Sequence, residues 1–395
     1  MELNFEFATA GRIYFGEGKV ALAPKVVAEY GKKALVVCGK SHRPYQSALI
    51  ENLRLNGIGV EIIRVSGEPA IEEAEAGAEL AIRTGCQVVV GFGGGSSLDC
   101  AKAVAALATN PGPALIYLEV IGKGLPLRNT PLPIIAIPTT AGTGTEVTRN
   151  AVLTSRQTNL KVSLRHLLMI PRVAIVDPTL TYSMPADVTA ATGMDALSQL
   201  IEPYLSTGRN SFTDLFCEEG IKRVGRALLV AWQNGEDATA RNDMSYASML
   251  SGLALANAKL GAVHGFAGPV GGMFNAPHGM LCARFLAPVM RANLRATQAD
   301  AQLSSLLPRF RFIAQALGGS ANILPEDGIR WVEMACQWMG VPTLGHYGVT
   351  SADVPRIVVA AKNASSMKGN PALLTDGDLE QIVLEAINPD VGERA

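Results

Sequence analysis

The stretch VVVGFGGGSSLDCAKAVAALA, from Val88 to Ala108, decides the fold. Its first residues are apolar and mostly β-branched, glycines follow, and an alanine-rich segment with helical spacing begins at once. Ser96 followed by Asp99 has the spacing of a capping box, which predicts Ser96 as the helix N-cap. Glycines 93–95 carry no Cβ, so a phosphate can approach the backbone, where the helix amides and dipole favour an anion. The stretch therefore predicts a buried strand, a phosphate-binding turn and a helix.

Two nucleotide-binding fingerprints fail here by one residue each. In the dinucleotide pattern GxGxxG, Gly91 and Gly93 fit, but Ser96 stands where the third glycine belongs. A Walker A loop around Gly39 fails because Ala34 stands where its first glycine belongs. We therefore exclude a P-loop nucleotide hydrolase. A tight glycine turn without a ligand is the alternative, but strand, three glycines and helix together favour phosphate binding.

Outward from this stretch, the two halves of the chain have different patterns. The strand-like runs are RIYFG from Arg12, ALVVCG from Ala34, VEIIRVSG from Val60, VVVGFGGG from Val88, PIIAIPTT from Pro133 and VAIVD from Val173. Apolar strands that alternate with helices predict a doubly wound parallel sheet covered on both faces, as in α/β dinucleotide-binding domains. From about Pro185 onward only helical spacing is found. We predict an α/β domain over residues 1–183 and an all-α domain over 184–395, with a ligand in the crevice between them.

A second polar segment, PTTAGTGTEV, follows the strand-like run at Pro133. Its hydroxyls, at Thr139, Thr140, Thr143 and Thr145, are suited to a ribose, a pyrophosphate or a carboxamide at the carboxyl end of a strand. Thr143 and Glu146 again have capping-box spacing. Threonine-rich turns without a ligand are common, so this segment alone is a weak signal.

Composition limits the classes of partner. The chain has 395 residues and a net charge of -1, so it has no basic surplus for nucleic acid or for an anionic membrane. It has no apolar run of the ~20 residues that a membrane span needs, and its N-terminus lacks the basic residues of a targeting peptide. We expect a soluble cytoplasmic protein with a small-molecule partner. The six cysteines are scattered without a CxxC pair, which predicts buried free thiols.

The stretch GMDALSQLIEPY, from Gly193 to Tyr204, raises the question of a metal site. Asp195 and Gln199 are one helical turn apart and so face the same way. We expect Thr192 or Asp187 to cap this helix and Pro203 to end or kink it. Downstream, His264 follows a glycine-flanked helical stretch, and His278 lies in what we interpret as a Pro-His-Gly turn. The alternative is that both histidines are ordinary, partly buried imidazoles.

Five motifs together resemble the iron-containing (group III) alcohol dehydrogenase family, in order and spacing, across nearly the whole chain. They are GFGGGSSLDCAKAVA, IPTTAGTGTEVT, ATGMDAL, GAVHGF and NAPHGM. The resemblance implies a dehydroquinate-synthase-like fold, with an N-terminal dinucleotide-binding domain and a C-terminal helical domain. It also implies a divalent metal, iron or zinc, in the cleft, and NAD(P)-dependent interconversion of alcohols with aldehydes or ketones. A homodimer is expected on the same ground.

The resemblance assigns the metal site residue by residue. Asp195, His264 and His278 match three ligands of the family and are the expected catalytic centre, whereas the family's remaining ligand, a histidine, falls on Gln199. Gly268 likewise replaces a histidine that is frequent in the family's pocket, so no proton donor is evident. An amide oxygen is a weaker donor than imidazole and shifts preference toward harder ions. The alternative is a metal-free site, in which the amide of Gln199 and the two histidines form hydrogen bonds to the substrate.

The resemblance also assigns the cofactor. It implies that the pyrophosphate rests on Gly94, Gly95 and Ser96, with Asp99 nearby. It assigns the ribose and nicotinamide side to Thr139, Thr143, Asn150 and Lys161, and we expect Thr140 of the same segment to bind the cofactor as well. Lys161 could instead be a solvated lysine at a strand edge.

Residues 39–43 bear on the choice between NAD and NADP. Gly39 stands where NAD-preferring proteins place an aspartate, so no carboxylate there would repel a 2′-phosphate. The donors that follow are Lys40, Ser41, His42 and Arg43. We expect NADP(H) rather than NAD(H). The alternative is that these residues only cap a surface turn.

Two other functions remain open from the sequence. A dehydroquinate-synthase-like lyase would use NAD only transiently, but the cleft motifs lack the basic residues that such an enzyme needs for a substrate phosphate. A non-enzymatic nucleotide-binding protein is the other, because two histidines of the family's pocket are replaced here.

Overall fold

The computed structural model describes residues 4–41, 43–158, 160–319 and 323–388. The chain divides into two compact units. The sheet unit contains Phe7–Thr140 and Gly144–Ser183, and the helical unit contains Met184–Ala395 together with Met1–Glu6 and Ala141–Thr143. His42, one of the predicted donors to a 2′-phosphate, lies outside the described residues.

The sheet unit is built on six parallel strands. They are β1 (Arg12–Phe15), β2 (Lys33–Gly39), β3 (Gly59–Val65), β4 (Val88–Gly93), β5 (Ile134–Pro138) and β8 (Val173–Val176). Their order across the sheet is β1-β8-β5-β4-β2-β3, and each neighbouring pair is parallel. All six strands were predicted from their apolar runs.

Helices cover both faces of this sheet. They are α1 (Ala23–Ala28), α2 (Pro44–Leu55), α3 (Ile71–Thr84) and α4 (Gly95–Leu107). One core contains Val36 and Val90 with Leu53 of α2, and the other contains Val89 with Val104 of α4. Because successive strand residues point to opposite faces, a continuous apolar run supplies both cores. The prediction of a doubly wound α/β arrangement is confirmed.

The sheet changes direction between β2 and β4. The chain leaves β2 toward β3 on one side and returns to β4 on the other. Cys38 pairs with Phe92, so the carboxyl ends of the two strands, Gly39 and Gly93, lie side by side. In open α/β sheets this switch point is where nucleotides bind.

The helical unit has no strand among its described residues, as predicted for the second half of the chain. Its helices are α5 (Ala186–Leu205), α6 (Ser211–Gln233), α7 (Ala238–Asn257), α8 (Ala262–Phe274), α9 (His278–Ala299), α10 (Leu307–Gly318), α11 (Pro325–Trp338), α12 (Val354–Asn363) and α13 (Asp376–Ile387). The capping box of α13, Thr375 with Asp378, was predicted and is present. No helix of the described residues is long and apolar enough to cross a membrane.

Three local features differ from the sequence-based expectations. An antiparallel hairpin of β6 (Asn150–Ser155) and β7 (Leu160–Arg165) was missed, because the polar Lys161 interrupts its apolar run. Helix α5 starts after Pro185 without a side-chain cap, so neither Thr192 nor Asp187 caps it. Thr192 lies inside the helix, where its hydroxyl donates to the Val188 carbonyl (2.8 Å), and the helix ends two residues after Pro203. The expectation for the six cysteines is confirmed, since all are buried and free.

Candidate functional site

Four side chains of the helical unit converge at one point. They are Asp195 of α5, His264 of α8, and His278 and Cys282 of α9. One ligand atom from each lies within 4.8 Å of every other. Three of the four residues are buried and His278 is half-buried. The three ligand positions predicted as Asp and His are therefore brought together, and Cys282 joins them.

The Asp195 carboxylate faces both imidazoles. Its Oδ1 lies 3.5 Å from Nε2 of His264 and 3.8 Å from Nε2 of His278. This oxygen is buried and has no hydrogen-bond partner. A buried polar atom is costly without a partner. A carboxylate oxygen and two ring nitrogens that point at one centre are the donor set expected around a divalent cation, so these residues fit a metal.

Glu202, which the sequence reasoning missed, fixes the orientation of His264. Its buried carboxylate contacts Nδ1 of His264 and accepts the backbone N–H of Val263 (2.7 Å). A carboxylate on Nδ1 holds the proton there and leaves the Nε2 lone pair toward the centre, as behind metal-bound histidines. One signal could have found it: Glu202 lies two helical turns after Asp195, so both are on one face of α5.

Two glycines allow these helices to approach closely. A Cβ on Gly261 would lie 3.0 Å from Oε1 of Glu202, so glycine lets Glu202 reach the start of α8. A Cβ on Gly279 would lie 2.3 Å from the Ala191 carbonyl, so glycine lets α9 pack on α5.

His278 is the first residue of α9, after Pro277 as N-cap, rather than part of an isolated turn. The interpretation as a Pro-His-Gly turn was wrong because the helix begins at the histidine itself.

Gln199 lies on α5 one turn after Asp195 and is buried. Its Oε1 lies 3.3 Å from the Ser251 hydroxyl, which also faces the Gly142 carbonyl at 3.3 Å and the Ser248 carbonyl at 2.8 Å. One hydroxyl proton serves three acceptors, so Ser251 does not fix the amide in one orientation. Around Gly268 on α8, no atom lies within 4 Å of a Cβ position. There is therefore open space beside Gly268.

The electrostatics of the cluster follow from burial and close charges. Burial lowers the pKa of His264, but Cys282, Glu202 and Asp195 raise it more, to well above its usual range. Burial raises the pKa of Asp195, but His264 and His278 lower it more. Burial raises the pKa of the Cys282 thiol to about 12. A divalent cation that binds here would therefore displace protons.

In the sheet unit, α4 begins at Gly95 with Gly94 as its N-cap and no side-chain cap. The prediction of Ser96 as N-cap was therefore wrong, because the helix starts two residues earlier than predicted. Asp99 does not complete a capping box either. Its carboxylate accepts the Thr145 hydroxyl (2.5 Å) and the Val152 backbone N–H (3.0 Å). The first N–H groups of a helix have no partner inside it, and here they belong to the glycine turn.

Different contacts explain why glycine stands at each position of this turn. A Cβ on Gly91 would lie 2.8 Å from Leu98, so this glycine lets α4 pack on β4. A Cβ on Gly93 would lie 2.5 Å from the Ser97 hydroxyl. Packing accounts for both. At Gly94 the nearest atom, of Thr140, would lie 3.3 Å away, so packing explains this glycine less well.

The threonine segment surrounds a buried lysine that the sequence reasoning missed. Nζ of Lys102 donates to the hydroxyls of Thr145 (2.6 Å) and Thr148 (3.0 Å) and to the Asn150 carbonyl (2.8 Å). Burial lowers the pKa of Lys102 to about 8. Buried Glu146 lies in the same segment, and burial raises its pKa to about 7. One signal could have found it: Lys102 lies inside the alanine-rich apolar run of α4, where residues on all sides of the helix are expected to be buried.

Two further predictions for this segment have structural outcomes. Gly144, in the left-handed conformation (φ 57), precedes a short 3-10 turn over Thr145–Val147, so Thr143 and Glu146 form no capping box. Thr143 belongs by its contacts to the helical unit. Lys161 is not a solvated edge lysine, because its Nζ pairs with Glu68 at 2.5 Å and its side chain is only 16% exposed.

Comparisons with known proteins agree over both units. The family model for iron-containing alcohol dehydrogenase matches residues 10–178, and that for the C-terminal part of the Fe-containing alcohol dehydrogenase family matches 189–387. Alcohol dehydrogenase 4 of Saccharomyces cerevisiae is 32% identical over 378 residues, which cover 94% of this chain and 96% of that protein.

Two solved structures are similar over nearly the full length. The crystal structure of a 1,3-propanediol oxidoreductase has a TM-score of 0.90 at 32% identity and covers 97% of this chain and 100% of that one. Sulfoacetaldehyde reductase from Bifidobacterium kashiwanohense, in complex with NAD+, has a TM-score of 0.87 at 28% identity and covers 98% of this chain and 100% of that one.

Proposed function

Because the chain belongs to the iron-containing alcohol dehydrogenase family and is an oxidoreductase that acts on alcohols, we propose its finer activity as follows. It is a reversible NADP(H)-dependent reductase of aldehydes or ketones with a divalent metal at Asp195, His264 and His278. The observation that carries this proposal is the convergence of these three side chains around an unpartnered carboxylate oxygen.

The metal, when bound, supplies a Lewis acid that polarises a carbonyl oxygen. Asp195 offers the charged ligand, and the two histidines offer Nε2. Glu202 acts as a positioning residue, because it holds the proton on Nδ1 of His264. Gln199 is the fourth member of the proposed site, because it stands at the position of the family's remaining ligand. With its amide turned either way it presents an oxygen to a cation or an NH2 to a substrate oxygen.

The glycine turn is proposed to hold the cofactor. The backbone N–H groups of Gly95 and Ser96, next to the N-cap Gly94, would bind the pyrophosphate at the positive end of α4. Asp99 acts indirectly, because its carboxylate is bonded to Thr145 and Val152. The residues proposed for the ribose and nicotinamide side are Thr139, Thr140, Thr143, Asn150 and Lys161.

The preference for NADP(H) is supported by the position of Gly39. This residue ends β2 beside Gly93 at the switch point of the sheet, where a carboxylate would meet the ribose hydroxyls. Lys40 and Ser41, which follow it, are exposed and are donors for a 2′-phosphate. The partner is a small alcohol or aldehyde, and the enzyme is proposed to act as a homodimer.

The test is the oxidation of reduced cofactor by purified protein with a broad panel of aldehydes and ketones. We expect consumption of NADPH that is faster than that of NADH at equal concentration and that a chelator abolishes. Restoring Zn²⁺ or Fe²⁺ should recover the rate. An enzyme that consumes NADH faster would refute the cofactor preference.

A metal-free reductase is the second candidate, and the amide at position 199 favours it. In that enzyme Gln199, His264 and His278 would bind the substrate oxygen by hydrogen bonds alone. It predicts that the chelated enzyme, with metal content measured as zero, keeps its full rate. The same rate measurements therefore separate the two candidates.

A further inference from the structure

Cys282 occupies a position that the alcohol dehydrogenase activity does not account for. It lies one helical turn after His278 on α9, so both side chains project from the same face. Its Sγ is 3.5 Å from Nε2 of His278 and 3.8 Å from Nε2 of His264. The residue is completely buried, and its thiol is free.

We propose that Cys282 is the fourth protein ligand, so that the chain binds its metal through an aspartate, two histidines and a cysteine. The thiolate takes the place that the missing histidine at position 199 leaves unfilled. This inference rests on the metal site of the proposed function and names its ligand set and metal class.

The distances match a tetrahedral site. With metal–nitrogen bonds of about 2.0–2.1 Å and a metal–sulfur bond of about 2.3 Å, tetrahedral geometry separates ligand atoms by about 3.3–3.6 Å. The two sulfur–nitrogen distances are 3.5 and 3.8 Å. The two oxygen–nitrogen distances from Asp195 are also 3.5 and 3.8 Å. Four edges of the tetrahedron therefore need only a few tenths of an ångström of contraction.

A second observation points to a cation at this place. Oδ1 of Asp195 is buried without a hydrogen-bond partner and lies within 4.8 Å of the ligand atoms of His264, His278 and Cys282. A cation would satisfy this oxygen and the three other donors at once. Gln199, in contrast, has its amide oxygen 3.3 Å from the Ser251 hydroxyl.

The ligand set changes the expected metal. An amide oxygen would favour harder ions, whereas a thiolate favours zinc over magnesium or manganese. On binding, the S–H proton leaves to the buffer and a sulfur–metal bond replaces it, so no electrons are lost. Zinc in enzymes also adopts five-coordinate geometry, so four protein ligands are compatible with substrate binding.

Cobalt substitution reads the sulfur ligand directly, without any turnover. The full chain is freed of metal and loaded with one equivalent of Co²⁺. We expect an intense near-ultraviolet charge-transfer band from the thiolate and visible bands of tetrahedral strength. A protein that binds one equivalent of Co²⁺ without the charge-transfer band would overturn the proposal.

Three variants then locate the sulfur. Cys282→Ser should lose the charge-transfer band and bind Zn²⁺ at least about 10-fold more weakly in a chelator competition, because even the loss of a residue that only supports a metal ligand costs about that much. Gln199→Ala should keep the band, with Zn²⁺ affinity within about threefold. Cys217→Ala, which removes a buried thiol of α6, is the matched control and should match the wild type. A weakened Gln199→Ala beside an unchanged Cys282→Ser would refute the assignment.

These measurements distinguish a failure of this inference from a failure of the proposed function. If the band is present but no aldehyde is reduced with any metal loaded, the ligand set holds and the reductase proposal falls. If aldehydes are reduced in a metal-dependent way but the band is absent, the reverse is true. The wild-type spectrum needs no substitution, so an unstable variant does not leave the question open.

Discussion

The metal cluster and the glycine turn are built in opposite ways. The cluster takes side chains from α5, α8 and α9. More than sixty residues of the chain separate Asp195 from the other three members. The turn is one contiguous segment, and it offers mainly backbone N–H groups at the start of α4. A site made of side chains depends on each residue type and its supporting contacts. A site made of backbone depends on the absence of side chains.

This difference predicts where substitutions act most strongly, and the largest expected effect is at Glu202. This residue acts only through the ring of His264 and the start of α8. Glu202→Gln keeps the shape but weakens the acceptor on Nδ1, so we expect metal affinity to fall by about 10–100-fold. Chelator competition with Zn²⁺ measures it.

The exposed Glu236 of the same unit supplies the control, since Glu236→Gln should leave metal affinity unchanged. Affinity of NADPH, measured by its fluorescence, should be the same in both variants. If Glu202→Gln binds zinc as tightly as the wild type, the carboxylate does not orient the ligand, and its role is confined to capping α8.

The same difference explains what could be predicted from the sequence. All six strands of the parallel sheet follow from local apolar runs, and the glycine turn follows from one contiguous motif. The approach of Asp195 to two histidines was expected only from the resemblance to a family. Helical spacing places Glu202 on the face of Asp195 and Cys282 on the face of His278, but no local pattern shows that α5, α8 and α9 bring these faces to one point.

The errors at helix starts concern residues that were expected to cap a helix through a side-chain hydroxyl. Capping-box spacing predicted Ser96 and Thr143 as N-caps, and Thr192 was expected to cap α5. The observed N-caps are Gly94, Gly144 and Pro185, and none of them caps through a side-chain hydroxyl. Gly144 takes the N-cap position in the left-handed conformation, which glycine adopts at little cost, whereas Gly94 is an N-cap with an ordinary extended backbone. The spacing of serine and threonine residues alone therefore does not show which residue is the N-cap.

A side chain introduced beside the glycine turn should have an intermediate effect. Gly39→Asp places a carboxylate at the end of β2, where it would bind ribose hydroxyls and repel a 2′-phosphate. A Cβ there meets only the Gln46 amide, 3.8 Å away, so the fold accommodates it. We expect the ratio of kcat/KM for NADPH to that for NADH to fall by about 10-fold or more, which corresponds to about 1.4 kcal/mol.

Gly39→Asn is the matched control, since it has the same size without the charge. It should change the ratio far less than the aspartate does. Equal effects of the two substitutions would show that bulk, not charge, disturbs the site, and would remove Gly39 from the argument for NADP(H).

The last prediction concerns stability rather than binding, and it is placed on a buried carboxyl group of the sheet unit, Glu146. Because burial raises its pKa to about 7 from an ordinary 4.5, the folded chain binds more protons than the unfolded chain between these values. Its favourable contribution to stability is therefore complete below pH 4.5 and is lost as the pH rises through 7. Glu146→Gln removes this dependence. Between pH ~5 and pH ~7.5, the free energy of unfolding of the variant should rise relative to that of wild type by on the order of 1–3 kcal/mol.

Urea unfolding at these two pH values measures the change in free energy of unfolding. The upper pH lies below the pKa of about 8 that burial gives Lys102, so this neighbour stays largely protonated throughout. Glu79→Gln, at an exposed position of α3, is the control for removing a carboxylate from the same unit. If Glu146→Gln follows the pH profile of wild type, the carboxylate is ionised at both values. Lys102 then stabilises a buried charge in the sheet unit much as His264 and its neighbours do around Asp195 in the helical unit.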